Sequence, residues 1–134
     1  MLIESDVILA AINPDDPAKG PARRVLDQEG LLLSPYSLLE VNLLARAGKL
    51  IIKDFDDFTN NLGTLLEAHS VEILSDRAEF HSVARGLETR FRMTFFDSLH
   101  AAASKVMKEM IVSFDRSYDK LSGEGVKRIN PRAV

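Results

Sequence analysis

Several features that mark secreted or membrane proteins are missing from this sequence. It contains no cysteine, which excludes disulfide bonds and thiolate zinc sites and is typical of an intracellular protein. Its longest uncharged run, from Gly30 to Leu39, has ten residues, too few to cross a bilayer. Two acids, Glu4 and Asp6, interrupt the start, where a signal peptide would have a basic region and an apolar core. We therefore expect a cytoplasmic protein with no membrane contact.

An excess of positive charge is also missing, because the net charge is −3, which argues against a general nucleic-acid coat. Residues 1–76 hold 6 basic and 13 acidic side chains, whereas residues 77–134 hold 11 basic and 7 acidic ones. A basic half beside an acidic half would let a polyanion approach a metal site, although scattered solvated charge is the plainer interpretation. The length of 134 residues and the apolar content of 46% predict one domain over residues 1–134.

Short apolar runs alternate with longer segments of helical periodicity. The runs predict strands at LIE near the start, LLLS at 31–34, VEIL at 71–74, IVSF at 111–114 and, more weakly, KRI at 127–129. One helix is predicted from Pro17 or Pro21 to Gly30, and another from Ser37 to Gly48. Three more helices have apolar stripes at Phe55, Phe58, Leu62, Leu65 and Leu66, at Phe80, Val83, Ala84, Leu87 and Phe91, and at Leu99, Ala102, Ala103, Val106 and Met110.

This alternation predicts an α/β fold of three α/β/α layers, with a central, mostly parallel sheet of four or five strands. In such sheets ligands bind beyond the carboxyl ends of the strands, where the strand order reverses. Glu4 and Asp6 follow the first strand and Asp115 follows the fourth, so we expect these acids to share that edge. Asp76 is placed to cap the helix after the third strand.

Four segments carry a family resemblance: IESDVILA, SLLEVNLLA, FFDSLHAAAS and IVSFDRSY. Together, and in this order along the whole chain, they resemble the PIN domain family, most closely its small ribonucleases of the VapC toxin type. The resemblance implies a PIN-like fold and a Mg²⁺- or Mn²⁺-dependent endoribonuclease that cleaves RNA and pairs with a VapB-like antitoxin. The family's acidic positions fall on Glu4 or Asp6, Glu40, Asp97 and Asp115.

The first acidic position departs from the family pattern of Asp, any residue, then Asn or Ser. In that register Glu4 stands where Asp is expected and Asp6 where Asn or Ser is expected. In an extended segment residues i and i+2 point the same way, so both carboxylates would face one site. We keep both as candidate metal ligands beside Asp97 and Asp115, because Mg²⁺ prefers oxygen ligands. A cation would also relieve the repulsion between crowded carboxylates.

Each of the other acids has an ordinary structural alternative. Ser37-Leu-Leu-Glu40 matches a capping box, in which Glu40 would reach back to the Ser37 amide. Asp97 would favour the positive end of its helix, and Asp115 would form a turn. Among the three histidines, His69 and His81 are expected on the surface. His100, one turn after Asp97, would either approach the site or, as we favour, lie on a helix face.

The expected mechanism is metal-assisted hydrolysis of an RNA phosphodiester, with Glu40 orienting water or a metal ligand. Ser113, two residues before Asp115, would supply a hydroxyl near the site. Candidate phosphate contacts are Arg90, Arg92 and Arg116, for which solvated arginines are the alternative.

Other functions are weighed against this one. A phosphatase of the haloacid dehalogenase type requires Asp where Glu4 stands, and a receiver domain requires a Lys after strand five that is missing. A non-catalytic PIN-like module that binds nucleic acid or protein is the main alternative, supported by Glu4 in the Asp register. We also expect a homodimer, because the helices that carry Arg23, Val25, Leu26, Phe55, Phe58 and Leu62 offer more apolar surface than one small sheet needs.

Overall fold

Five short parallel strands form the central sheet of the structure, a computed structural model that describes all 134 residues. The strands are β1 (Leu2–Ile3), β2 (Leu32–Leu33), β3 (Glu72–Ile73), β4 (Ile111–Val112) and β5 (Arg128–Ile129). Their order across the sheet is β3-β2-β1-β4-β5, and every neighbouring pair is parallel. The chain therefore builds outward in one direction from β1 to β3 and in the other from β4 to β5, so the strand order reverses between β1 and β4.

Six α-helices connect these strands: α1 (Ser5–Ile12), α2 (Lys19–Leu26), α3 (Ser37–Arg46), α4 (Phe55–Ala68), α5 (Ala78–Phe91) and α6 (Phe95–Met107). Two 3-10 helices, Arg116–Glu124 and Pro131–Ala133, flank β5. None of the helices has the length and apolar character of a membrane span.

The sheet separates two apolar cores because successive strand residues point to opposite faces. Ile3 and Val112 lie in one core with residues of α1, α2 and α4, whereas Leu2 and Ile111 lie in the other with residues of α5 and α6. All four side chains are fully buried. This confirms the predicted three-layer α/β/α fold and its parallel sheet.

Helix α1 is the element that sequence reasoning missed, because residues 4–6 were expected to be extended. Four of its eight residues, Val7, Ile8, Ala10 and Ala11, are buried apolar side chains. A helix buried on most sides lacks the polar stripe by which helical periodicity is recognised, and its apolar run resembles a strand. The chain therefore turns into a helix immediately after β1.

Several predicted helix boundaries and caps were also wrong. Helix α2 begins at Lys19 and ends at Leu26, before the predicted end at Gly30. Asp76 does not cap α5, since Arg77 occupies the capping position and the Asp76 carboxylate instead accepts a hydrogen bond from the Tyr36 hydroxyl at 2.6 Å. Met110, predicted to point inward from α6, lies beyond the end of that helix and is exposed.

The apolar surface expected to support a homodimer is mostly core. Val25, Leu26 and Leu62 are buried, and Phe58 packs against the core that they form. Phe55 is the exception at 39% exposed, and further exposed apolar side chains lie on α3, where Leu39 is 55% and Leu43 46% exposed. Most of the apolar side chains on which the homodimer prediction rested therefore belong to the core of a single chain.

We predict that Phe80→Ala lowers the free energy of unfolding by about 3–5 kcal/mol, because it leaves a cavity in the second core. Phe80 is fully buried in α5. Urea denaturation followed by circular dichroism would measure the loss. Leu39→Ala is the matched control on an exposed helical position, with an expected change within about 0.5 kcal/mol. Equal effects of the two substitutions would contradict the described packing.

Candidate active site

Acidic side chains meet at the carboxyl ends of β1 and β4, where the strand order reverses. Ile3 pairs with Val112 in the sheet, so the next residue of each strand, Glu4 and Ser113, leaves the sheet at the same place. Crevices at such reversals are where open α/β sheets bind ligands.

The Ser113 hydroxyl connects the two acids that open the chain. Its Oγ lies 2.7 Å from Glu4 Oε1 and 2.7 Å from Asp6 Oδ2, and it accepts the Asp115 backbone N–H at 2.9 Å. A hydroxyl has one proton to donate, so both short contacts are hydrogen bonds only when one of the two carboxyl groups is protonated. Without a cation, the site therefore holds a proton between Glu4 and Asp6.

Glu4 is the more deeply buried of these two acids, with 4% of its surface exposed. Burial, followed by the neighbouring Asp6 charge, raises the pKa of Glu4 to about 8. The Tyr118 hydroxyl lies 3.4 Å from Glu4 Oε1 and 3.4 Å from Asp97 Oδ1, so it bridges two acids from distant parts of the chain. Sequence reasoning missed Tyr118, although it ends the quoted segment IVSFDRSY.

Asp6 reaches the same place from the first turn of α1 rather than from an extended strand. The i, i+2 reasoning was therefore wrong, although both carboxylates converge on Ser113. Asp6 Oδ2 also accepts the Phe114 backbone N–H at 2.7 Å, whereas Oδ1 is buried without a hydrogen-bond partner. Burial raises the pKa of Asp6 to about 6.

Asp97 and Asp115 lie close to these two acids. Asp97 is half-buried in the first turn of α6, where its backbone N–H donates to the Thr94 hydroxyl. Burial, with the Asp115 charge adding to it, raises the pKa of Asp97. Asp115 is exposed and caps the 3-10 helix that follows, since its Oδ1 accepts the Ser117 N–H at 2.7 Å. Both acids thus have their expected local roles and also lie close enough to interact.

Glu40 does not form the capping box that was the alternative. Tyr36 precedes the first residue of α3 and makes no side-chain cap. The Glu40 side chain points to the site instead, where Oε1 accepts hydrogen bonds from the Ser5 hydroxyl and from His100 Nε2. Although burial opposes the change, these two hydrogen bonds lower the pKa of Glu40.

His100 takes the less favoured of its two predicted positions. It is fully buried and approaches the site. Its Nδ1 is 2.6 Å from Ser34 Oγ, and its Nε2 is 3.2 Å from Glu40 Oε1 and 3.8 Å from Glu4 Oε2. The sequence did contain a signal for this position. His100 follows Asp97 by one helical turn and precedes three alanines, and such small residues allow a helix to pack closely against its neighbours.

The side chains that come closest together differ from the predicted ligand set. Ligand atoms of Glu4, Glu40 and His100 all lie within 4.8 Å of one another, and this is the only such group of three. Asp6, Asp97 and Asp115 surround the group without belonging to it. Although burial opposes the change, the hydrogen bond to Glu40 and the Glu4 charge raise the pKa of His100. Once His100 has released its Nε2 proton, the donor set fits a divalent cation, since two carboxylates, the imidazole nitrogen and the unpartnered Asp6 Oδ1 offer ligands.

The three arginines predicted to contact phosphate differ in whether a carboxylate of the protein already binds them. Arg90 forms a two-point ion pair with Glu124, with N–O distances of 3.1 and 3.3 Å, and Glu124 also accepts from Lys105. Lys105 is in the last turn of α6, whereas Asp97 is in its first turn. Arg92 and Arg116 are exposed, and Arg116 directly follows Asp115.

We predict that the metal-free protein loses stability as pH rises from about 5 to 8, and that Glu4→Gln removes part of this loss. The folded-state pKa of Glu4, about 8, lies above its ordinary value of 4.5. Between these values the folded protein keeps a proton that the unfolded chain has released, so raising the pH favours unfolding.

Urea denaturation at pH 5 and pH 8 in the presence of a chelator would measure this dependence. Glu67→Gln, on the exposed surface of α4, is the control and should retain the full decline. A decline as steep in Glu4→Gln as in the wild type would show that Glu4 does not hold the proton.

Comparisons with known proteins place this geometry in a family. A toxin–antitoxin complex from Klebsiella pneumoniae is similar over 97% of this chain and 96% of its own, with a TM-score of 0.69 and 10% identity. FitAcB from Neisseria gonorrhoeae is similar over 99% of this chain and 99% of its own, with a TM-score of 0.67 and 16% identity. FitAB bound to an IR36 DNA fragment is similar over 99% of this chain and 96% of its own, with a TM-score of 0.67 and 14% identity.

At these identities the structures establish the fold alone, and no curated protein sequence matches the chain. The PIN domain model matches residues 1–124, nearly the whole chain and all of the acidic cluster. This chain therefore belongs to the PIN domain family.

Proposed function

We propose that this protein is a metal-dependent endoribonuclease and the toxin of a toxin–antitoxin pair. Membership of the PIN family supports a nuclease. The observation that carries the proposal is the buried meeting of Glu4 and Asp6 around Ser113, with Asp97 joined to Glu4 through Tyr118. Buried like charges are costly without a cation, and a structure that only needed stability would not concentrate them here.

Mg²⁺ or Mn²⁺ is the proposed cofactor. Glu4, Asp6, Asp97 and Asp115 would hold it, directly or through water, because carboxylates are the ligands that these ions prefer. When bound, a divalent ion supplies a coordinated water of lowered pKa and positive charge for the phosphoryl oxygens.

Glu40 is the proposed group that orients the attacking water. Its Oε1 is fixed by hydrogen bonds from Ser5 and His100, which leaves Oε2 without a protein hydrogen bond and available to the substrate side. Ser113 holds Glu4 and Asp6 in place through the shared hydroxyl. Tyr118 would keep Glu4 and Asp97 at a constant separation.

RNA is the proposed substrate, and exposed arginines would meet its phosphates. Arg116 follows Asp115 and Arg92 precedes α6, so both flank segments that carry site acids. Arg90 would contribute only after leaving Glu124, which makes it the weakest of the three candidates. The acidic cluster repels a polyanion, so a bound cation and these arginines would both favour RNA binding.

An antitoxin is the proposed partner, and self-association remains part of the proposal. Two of the similar solved structures are described as a toxin–antitoxin complex and as FitAB bound to DNA. In this chain Leu38, Leu39 and Leu43 are 40%, 55% and 46% exposed along α3, the helix that also carries Glu40. A partner or a second copy that covered these leucines would lie beside the site.

We predict that the wild type cleaves RNA in the presence of Mn²⁺ or Mg²⁺ and that Asp97→Asn cleaves at least about 100-fold more slowly, equivalent to about 3 kcal/mol of barrier. The substitution removes a charge while keeping the side chain's shape. Single-turnover cleavage of a labelled RNA, with and without chelator, would measure the rates.

Asp56→Asn is the matched control, because α4 carries none of the clustered side chains, and it should cleave like the wild type. RNA binding without cleavage by the folded wild type, with every divalent ion tried, would favour the non-catalytic binding module.

We also predict that Glu4→Gln impairs cleavage more than Asp6→Asn. An amide oxygen at position 6 can still accept the Phe114 N–H that now binds Asp6, and Asn is the family's usual residue there. Gln at position 4 removes the charge from the most buried acid of the cluster. Cleavage rates of the two variants at saturating metal would decide, and the opposite order would make Asp6 the principal ligand.

A further inference from the structure

His100 faces two carboxylates with the same ring nitrogen. Nε2 lies 3.2 Å from Glu40 Oε1 and 3.8 Å from Glu4 Oε2, and all three atoms fall within 4.8 Å of one another. Ligands that each lie about 2.0–2.2 Å from one ion are separated by at most about 4.4 Å. Both measured separations from Nε2 meet this condition.

We propose that His100 is a metal ligand through Nε2 and that, with Glu4 and Glu40, it forms a mixed nitrogen–oxygen site that prefers transition-metal ions to Mg²⁺. This inference rests on the proposed metal-dependent function, narrows its cofactor and adds Glu40 and His100 to the proposed ligands. Imidazole nitrogen suits transition ions such as Co²⁺ and Zn²⁺, whereas Mg²⁺ is best served by oxygen alone.

Ser34 sets the imidazole in the form that a ligand requires. Its Oγ lies 2.6 Å from His100 Nδ1, and its side chain is buried. A metal ion would displace the Nε2 proton that His100 donates to Glu40, while Nδ1–H donates to the Ser34 hydroxyl, so that the Nε2 lone pair is directed at the ion. Metal-binding histidines characteristically donate their other ring N–H to a fixed acceptor, which orients the ring. Contacts with Tyr36 and Phe96, at ring-centroid distances of 6.2 and 6.4 Å, restrict the ring further.

A metal ion would contact more of these groups than a proton on Nε2 does. A proton on Nε2 satisfies Glu40 at 3.2 Å, but the 3.8 Å to Glu4 Oε2 is too long for a hydrogen bond. The hydrogen bonds that Glu4 accepts from Ser113 and Tyr118 both go to Oε1, so Oε2 has no hydrogen bond from the protein. One ion placed among the three atoms compensates all of them.

Calorimetric titration of the full chain with Co²⁺, Mn²⁺ and Mg²⁺ would test the proposal. The wild type should bind Co²⁺ and Mn²⁺ more tightly than Mg²⁺. His100→Gln should lose more than about tenfold in Co²⁺ affinity, the lower end of what loss of an outer partner costs, and much less in Mg²⁺ affinity. His81→Gln, which alters an exposed histidine paired with Asp76, is the matched control and should bind all three ions like the wild type.

Two results would overturn the proposal. Equal loss of Co²⁺ and Mg²⁺ affinity in His100→Gln would mean that His100 only orients Glu40. Unchanged Co²⁺ affinity in that variant would mean that the imidazole takes no part in the site.

A measurement on the wild type keeps the test valid if His100→Gln does not fold. The chain has three histidines, so ¹⁵N-labelled imidazoles give few signals, and the other two are assigned with His81→Gln and His69→Gln. Added Zn²⁺ should shift Nε2 of His100 and leave His81 unchanged. An unshifted His100 signal at saturating Zn²⁺ would overturn the proposal.

These experiments use no RNA, so their outcome is separate from that of the proposed function. Metal binding through His100 without RNA cleavage would leave this inference standing and refute the nuclease. RNA cleavage with Mg²⁺, together with equal binding of Mg²⁺ and transition ions, would support the nuclease and overturn this inference.

Discussion

The sharing of one serine hydroxyl by two buried carboxyl groups is the constraint around which this site is organised. Parallel pairing of β1 with β4 brings Ser113 to Glu4, and the early start of α1 brings Asp6 to the same hydroxyl. Desolvation opposes charge on both acids, so the folded chain must bind either a proton or a cation there. The sheet can hold this unfavourable group because apolar cores on both of its faces stabilise the strands.

A second set of contacts joins three helices to that centre. Ser5 in α1, Glu40 in α3 and His100 in α6 meet through hydrogen bonds to a single carboxylate oxygen. Tyr118 lies between Glu4 and Asp97 and so connects the 3-10 helix Arg116–Glu124 to the same centre. Each acid is therefore oriented by partners from another element, so its position depends on the correct packing of the whole domain. Such fixed orientation is what a metal centre or an in-line displacement requires.

Local patterns account for the parts of the structure that were predicted well. The five strands, five of the six helices and the reversal of strand order all follow from apolar runs and their spacing. Helix α1 was missed because its buried apolar residues leave no polar stripe. Asp76 was assigned to a helix end, and a capping box was the alternative for Glu40, because a capping signal needs only a few neighbouring residues. Both side chains instead have partners about 35–60 residues away in the chain, and local sequence contains no signal for such contacts.

The sequence by itself determined the fold class, the edge of the sheet at which the acids gather, and which acids are available there. These properties depend on periodicity and on residue order, which can be read along the chain. Only the tertiary structure decided that Asp6 reaches the site from a helix, that the Glu40 side chain points toward the site, and that His100 Nε2 lies beside Glu4 and Glu40. Those outcomes depend on the packing of α1, α3 and α6 at the end of β1, where separations of a few ångströms between remote residues decide what each side chain can bind.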